Sequence, residues 1–133
     1  MKYMLDTNIC IEIIRQRSVH AVERCEAHAG EGICLSAITY AELVFGCEKS
    51  SHPAKNRLAL ERFLSPIRVL DFPAAAGEDY ARLRARLEKQ GQLIGPNDLL
   101  IAAHGLHLKS TLVTNNEREF RRVPGLRVVN WLG

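Results

Sequence analysis

The sequence predicts an α/β fold of three layers, a mainly parallel central sheet of about five strands covered by helices on both faces. Two observations carry that expectation. Short apolar runs at residues 2–5, 33–35, 67–72, 111–114 and 128–129 alternate with longer stretches of helical periodicity. Several of these runs also pass directly through a polar residue into a helix start, as strands of a parallel sheet do when they hand over to a crossover helix. A length of 133 residues suits one domain spanning residues 1–133, able to bury roughly two-thirds of its unfolded surface.

The first strand, residues 2–5, runs into Asp6-Thr7-Asn8. Thr7 is the expected cap of a helix over 8–15, its hydroxyl accepting from an amide of the first turn. Ligands of open α/β sheets bind beyond the carboxyl ends of the strands, which is where Asp6 falls. The plainer reading is a polar stop at a strand end, but the apolar residues on either side mark a buried segment in which an unpaired carboxylate is costly. Ser18 then opens a helix over 19–29, broken by Gly30 and Gly32. His20 and His28 have no set of acids or cysteines at metal spacing around them and read as surface histidines.

The second strand, 33–35, is followed by Ser36 as a cap and a helix over 37–45 in which Glu42 is the only charge. Its neighbours one turn away, Ile38, Thr39 and Phe45, are mostly core types, and no basic residue lies within a turn to pair with it. A hard cation is a sharper explanation of such a glutamate than a long-range ion pair. Residues 53–64 form an ordinary amphipathic helix, with Leu58, Leu60 and Phe63 on its apolar side, and 67–72 form the third strand, closed by Pro73.

In the long helix that follows, Ala76, Tyr80, Leu83 and Leu87 make an apolar stripe, while Arg82, Arg86 and Lys89 share the other side with Arg84 alongside. A solvated face explains any one of these cations. As a set they are candidates for phosphate contacts. Gly91 ends this helix. Pro96 suits the first turn of the next, and places Asp98 where the helix dipole alone favours a carboxylate by about 0.3–1 kcal/mol. The residues after Asp98 are nearly all apolar, so the helix is expected to be central, with its start pointing inward. His104 and His107, without a third ligand, do not make a zinc site. The strand at 111–114 runs into Asn115-Asn116-Glu117-Arg118-Glu119, again placing polar oxygens at a carboxyl end, and Val128-Val129 gives a last edge strand.

Asp6, Glu42, Asp98 and Glu119 therefore come from four segments whose strand ends or helix starts can converge. Carboxylates gathered without bases repel one another, and a divalent cation removes the conflict. Oxygen donors favour Mg²⁺ or Mn²⁺ over zinc or copper. A solvated metal held by acids fits phosphodiester hydrolysis. The formal charge of +3 does not by itself announce a nucleic-acid binder, though the surface outside an acidic metal site would be more basic than that figure. The four cysteines, Cys10, Cys25, Cys34 and Cys47, form no Cys-x-x-Cys pair and read as reduced and structural. With no span of about 20 apolar residues and no secretory leader pattern, the expected location is the cytoplasm, away from any membrane.

Met4-Leu5-Asp6-Thr7-Asn8, Ala41-Glu42, residues 95–102 and residues 112–120 resemble, in order and over essentially the whole chain, the motifs of PIN-domain ribonucleases. More narrowly they resemble the VapC toxins of type II toxin–antitoxin pairs. The resemblance implies a PIN-like fold and a Mg²⁺-dependent endoribonuclease, with Mn²⁺ able to substitute, acting as a homodimer and inhibited by a cognate VapB antitoxin. The wording around Ile94-Gly95-Pro96 and Thr114-Asn115-Asn116 resembles the branch that cuts initiator tRNA in its anticodon stem-loop. Carried over by position, Asp6, Glu42 and Asp98 match the first three acids of the family. Many members have an aspartate where this chain has Asn116, which leaves Glu119 as the fourth acid and Asn8, Thr114 and Asn116 as supporting polar groups.

Rival readings start from the same sheet. A non-catalytic RNA-binding or phosphate-responsive module is one. A receiver-type phosphoacceptor would have adjacent acids at the first strand end, and a haloacid-dehalogenase-like phosphatase needs Asp-x-Asp where this chain has Asp6-Thr7-Asn8.

Overall fold

In the computed structural model, which describes residues 1–133, five strands form one sheet: β1 (Tyr3–Leu5), β2 (Ile33–Ser36), β3 (Arg68–Leu70), β4 (Thr111–Val113) and β5 (Val128–Val129). Their order is β3-β2-β1-β4-β5 and every pairing is parallel. Helices α1 (Thr7–Ile14), α2 (Val19–Ala27), α3 (Ala37–Glu48), α4 (Pro53–Leu64), α5 (Ala74–Lys89), α6 (Pro96–Leu108) and α7 (Glu117–Phe120) make the connections, with one 3₁₀ turn at Ala29–Glu31. No helix is long and apolar enough to cross a membrane.

Strand side chains alternate between faces, and the core divides accordingly. Met4, Cys34 and Leu112 point to one side, where they pack with Leu83 and Leu87 of α5, Leu99, Ile101 and Ala102 of α6 and Phe120 of α7. Leu5, Ile33, Leu35 and Val113 point to the other, against Ile9 and Cys10 of α1, Ala21 of α2, Leu43 and Cys47 of α3 and Leu60 of α4. These two clusters are the two helical layers of the expected sandwich. Burial on both faces explains why β1, β2 and β4 read as continuous apolar runs.

The connections step outward from β1 to β2 to β3, then α5 and α6 carry the chain back across to β4 on the other side of β1. The strand order reverses between β1 and β4. In such sheets the crevice beyond the carboxyl ends at that reversal is the place for a ligand, and Asp6 and Thr114 stand there side by side.

Several local expectations are corrected. Asp6, not Thr7, caps α1: its side chain accepts from the Thr7 N–H, and the Thr7 hydroxyl is engaged elsewhere. The helix begun at Ser18 stops at Ala27, and the 3₁₀ turn precedes Gly32, whose φ of 91° ends the segment. The third strand pairs only over Arg68–Leu70 and is largely exposed, because it is an edge and has one neighbour. Phe45 and Leu58, expected in the core, are 63% and 53% exposed. Ser18 and Ser36 do cap α2 and α3, accepting from Ala21 N–H and Ile38 N–H. His28 is half-buried rather than purely on the surface, stacked on Trp131 and bonded to Glu31. All four cysteines are free, and burial pushes the thiols of Cys10, Cys25 and Cys34 up, away from the reactive thiolate.

Candidate active site

Asp6 is 3% exposed at the end of β1, held by two donors. The Thr7 N–H donates to Oδ1 at 2.8 Å, and the Thr114 hydroxyl, from the end of β4, donates to Oδ2 at 2.8 Å. Thr114 Oγ1 in turn accepts from the Asn116 N–H at 3.0 Å, so the strand end and the turn that leads into α7 are bonded into one unit. Burial raises the Asp6 pKa above the usual carboxylate range. The two hydrogen bonds pull it down, and the charges of Glu42 and Glu119 push it up again.

Glu42 projects from α3 and is half-buried. The Thr7 hydroxyl donates to its Oε1 at 2.6 Å, and Asn97 Nδ2 donates to Oε2 at 3.3 Å. Three elements therefore fix one carboxylate without a base. On the far side, Gly95 N–H donates to Glu119 Oε1 at 2.8 Å and Asn116 Nδ2 to Oε2 at 2.7 Å. Asn116 thus donates to the carboxylate of Glu119 rather than standing apart from it.

Asp98, in the first turn of α6, completes the group. Its pKa is raised to about 7, first by burial, then by its hydrogen bond with Glu119 and by the charges of Asp6, Glu119 and Glu42. Burial would raise Glu119 too, but the Gly95 N–H, the Asn116 amide and Asp98 outweigh it and hold Glu119 low. The two carboxyl groups are thus set apart, Asp98 raised and Glu119 lowered. The charges of Glu42 and Glu119 reach Asp6, and those of Asp6, Glu42 and Glu119 reach Asp98.

No three of the acidic, histidine or cysteine side chains form a ready-made metal cage. The oxygens of Asp6, Glu42 and Glu119 are turned toward protein donors instead, leaving Asp98 as the acid whose charge has least support. Such an array fits an ion that keeps part of its water shell and takes one or two carboxylates directly, as Mg²⁺ does. The donors are oxygens throughout, and a cation would relieve the repulsion that lifts Asp98.

A groove of about 1090 Å³ opens beside the acids between α1, α3 and α4. Glu42, Thr7, Asn8, Asn97 and Asn115 line its inner end, Ile11, Ile38, Leu60 and the exposed Phe45 its floor, and Arg15, Arg17 and Lys49 its edge. Asn8 is exposed in this groove and makes no bond to an acid. Arg82, Arg86 and Lys89 are exposed on α5, as expected, and none lines the groove. Arg82 is within 3.4 Å of Asp79. His104 and His107 point apart, to Ser36 and to Asp79.

Sequence reading missed Asn97, the Gly95 N–H and the true partner of Thr7. A polar residue beside Asp98 in the same first turn was the available signal for Asn97. A backbone donor has none.

The sequence signature of the PIN domain matches residues 3–126. Among curated relatives, Ribonuclease VapC2 of Haemophilus influenzae is 46% identical over 132 residues, covering 99% of this chain and 99% of that protein. The tRNA(fMet)-specific endonuclease VapC of Shigella flexneri is 44% identical over 131 residues, covering 98% of each. Among solved structures, VapBC2 from Rickettsia felis bound to a DNA fragment from its promoter matches with a TM-score of 0.94 and 42% identity, across 98% of this chain and 99% of that one. DNA-bound VapBC from Salmonella typhimurium matches with a TM-score of 0.93 and 40% identity, across 98% of each.

Proposed function

The chain belongs to the PIN-domain family, and on that premise we propose that it is the endoribonuclease toxin of a toxin–antitoxin pair. Asp6, Glu42, Asp98 and Glu119 are its catalytic acids and hold a divalent cation, Mg²⁺ with Mn²⁺ able to substitute. The observation that carries this reading is Asp98, a half-buried carboxylate raised to about pKa 7 by burial and by the three neighbouring acids Asp6, Glu42 and Glu119. Perturbed groups of that kind collect at catalytic sites.

When bound, the cation supplies Lewis-acid polarisation of the phosphodiester and a lowered pKa for an attacking water. The chain's own residues do the rest. Thr114 and the Thr7 N–H keep Asp6 in one rotamer, Thr7 and Asn97 do so for Glu42, and Gly95 and Asn116 for Glu119. With its pKa near neutrality, the Asp98 carboxyl group can hold or release a proton at working pH.

The relative from Shigella flexneri is named for tRNA(fMet), and at 44% identity over nearly the whole chain the same substrate class is the reading here: initiator tRNA, cut in the anticodon stem-loop. The solved relatives are VapBC complexes, so the partner is a VapB-type antitoxin bound to a homodimer of this chain. The groove beside the acids, apolar on its floor and cationic at its edge, has the chemistry to take an antitoxin segment with an apolar face and acidic flanks. Arg82, Arg86 and Lys89 are assigned to the RNA backbone.

The test is cleavage of initiator tRNA by antitoxin-free protein, with and without Mg²⁺ or Mn²⁺. Metal-dependent scission by wild type and its loss in Asp6→Asn and Asp98→Asn, both folded, is the expected result. RNA binding without scission under any divalent ion would replace this reading with the non-catalytic module.

A further inference from the structure

One buried polar contact joins the helix that carries Asp98 to the cap of the helix that carries Glu42. His104 Nδ1 of α6 lies 2.9 Å from Ser36 Oγ, and both residues are completely buried. Ser36 ends β2 and caps α3, where its Oγ accepts from the Ile38 N–H at 3.1 Å. Nδ1 is thereby engaged by the Ser36 hydroxyl, which leaves Nε2 as the ring's other polar atom.

That nitrogen has no partner. The ring is clamped by Phe72, edge-on at 5.2 Å between centroids, and burial, followed by the charge of His107, keeps His104 below the ordinary histidine range and so neutral. An unpaired buried polar group is a net cost, and an apolar side chain of similar shape in its place is often neutral or stabilising. Stability alone therefore gives no reason for this imidazole.

Its location does. Glu42 lies six residues after Ser36 and Asp98 six residues before His104, which along a helix is about 9 Å in each case. The contact thus ties the start of the helix that carries Glu42 to the helix that carries Asp98.

We propose that His104 is a positioning residue for the acid site: through Ser36 it fixes the start of α3 against α6, and with it the spacing of Glu42 from Asp98. The proposal rests on the reading of these acids as a divalent-metal site. It acts on metal affinity, because ligand spacing enters binding directly whereas the hydrophobic clusters on either side of the sheet hold the fold without it.

The experiment is Mn²⁺ titration of antitoxin-free protein followed by electron paramagnetic resonance, with thermal unfolding measured in parallel. His104→Leu should bind Mn²⁺ about tenfold more weakly, at the low end for groups acting through a ligand's support, with an unfolding midpoint no lower than wild type. His104→Asn, whose amide can occupy the Nδ1 position, should recover most of the affinity. Ser36→Ala, which also removes the cap bond to the Ile38 N–H, should lose at least as much as His104→Leu, and the double variant no more than Ser36→Ala, since the His104–Ser36 contact is already gone in it. Wild-type affinity in His104→Leu, no recovery in His104→Asn, or additive losses would overturn the proposal. Should His104→Leu not fold, Ser36→Ala decides by whether Mn²⁺ binding falls. Equal binding by wild type and Asp98→Asn would instead remove the acid-site reading, and the proposal with it.

Discussion

Asp98 carries a proton that the same residue in the unfolded chain gives up near pH 3.8, while the folded protein keeps it to about pH 7. Between those values the unfolded chain binds fewer protons than the folded one, so this residue makes stability fall as pH rises through the window. Below it both states are protonated and the contribution vanishes; above it the full penalty stands. In the absence of metal, Asp98→Asn is therefore expected to unfold at a higher temperature than wild type at pH 8 and at nearly the same temperature at pH 4; differential scanning calorimetry across that range checks it. The groups that orient the acids act one step removed. Asn116→Ala frees one oxygen of Glu119, and Thr7→Val frees one of Glu42; each should lower tRNA cleavage about 10- to 100-fold with little change in unfolding. Asp6 and Glu42 were legible as single residues because a charge in an apolar run is conspicuous. The bonds from Thr7 to Glu42 and from Gly95 to Glu119 were not, since they join residues 35 and 24 positions apart.

At the scale of elements, periodicity located the five strands and the six longer helices, but not the short α7 (Glu117–Phe120), and errors fell where an end depends on a competing side chain. Thr7 and Asp6 can both cap α1. Asp6 does so, which leaves the Thr7 hydroxyl for Glu42. The cap of α2 is simpler: Ser18→Ala removes the bond to the Ala21 N–H and should cost about 1 kcal/mol in urea unfolding, with cleavage unchanged. Helices α3 and α4 show where apolar patterning misleads. Phe45 and Leu58 fit a helical stripe, yet both are exposed, Phe45 along the groove beside the acids. Periodicity tells that a face is apolar but not what covers it. With the antitoxin as the occupant, Phe45→Ser is expected to leave stability within about 0.5 kcal/mol, as exposed substitutions do, and to weaken the toxin–antitoxin complex measured by calorimetry.

The whole molecule sets an acidic crevice at the β1/β4 reversal against a chain of net charge +3. A divalent ion at the crevice should raise the unfolding temperature more at pH 8, where Asp98 is ionised, than at pH 5, where the ion competes with its proton. If Arg82, Arg86 and Lys89 meet the RNA backbone, neutralising all three should reduce the slope of log binding constant against log salt by about 2, using the single-strand coefficient; an unchanged slope removes α5 from the interface. The sequence by itself determined the layered α/β class, the alternation that buries β1, β2 and β4 on both faces, and which acids are out of place in apolar surroundings, because these depend on periods of two and 3.6 residues along the chain. Only the tertiary structure decided that Asp6 and Thr114 stand together at the strand reversal, that Asn116 donates to Glu119, that burial and three acids lift Asp98, and that His104 reaches Ser36. Each of those is a contact between segments far apart in sequence, and its distance is fixed by how two helical layers close on the sheet.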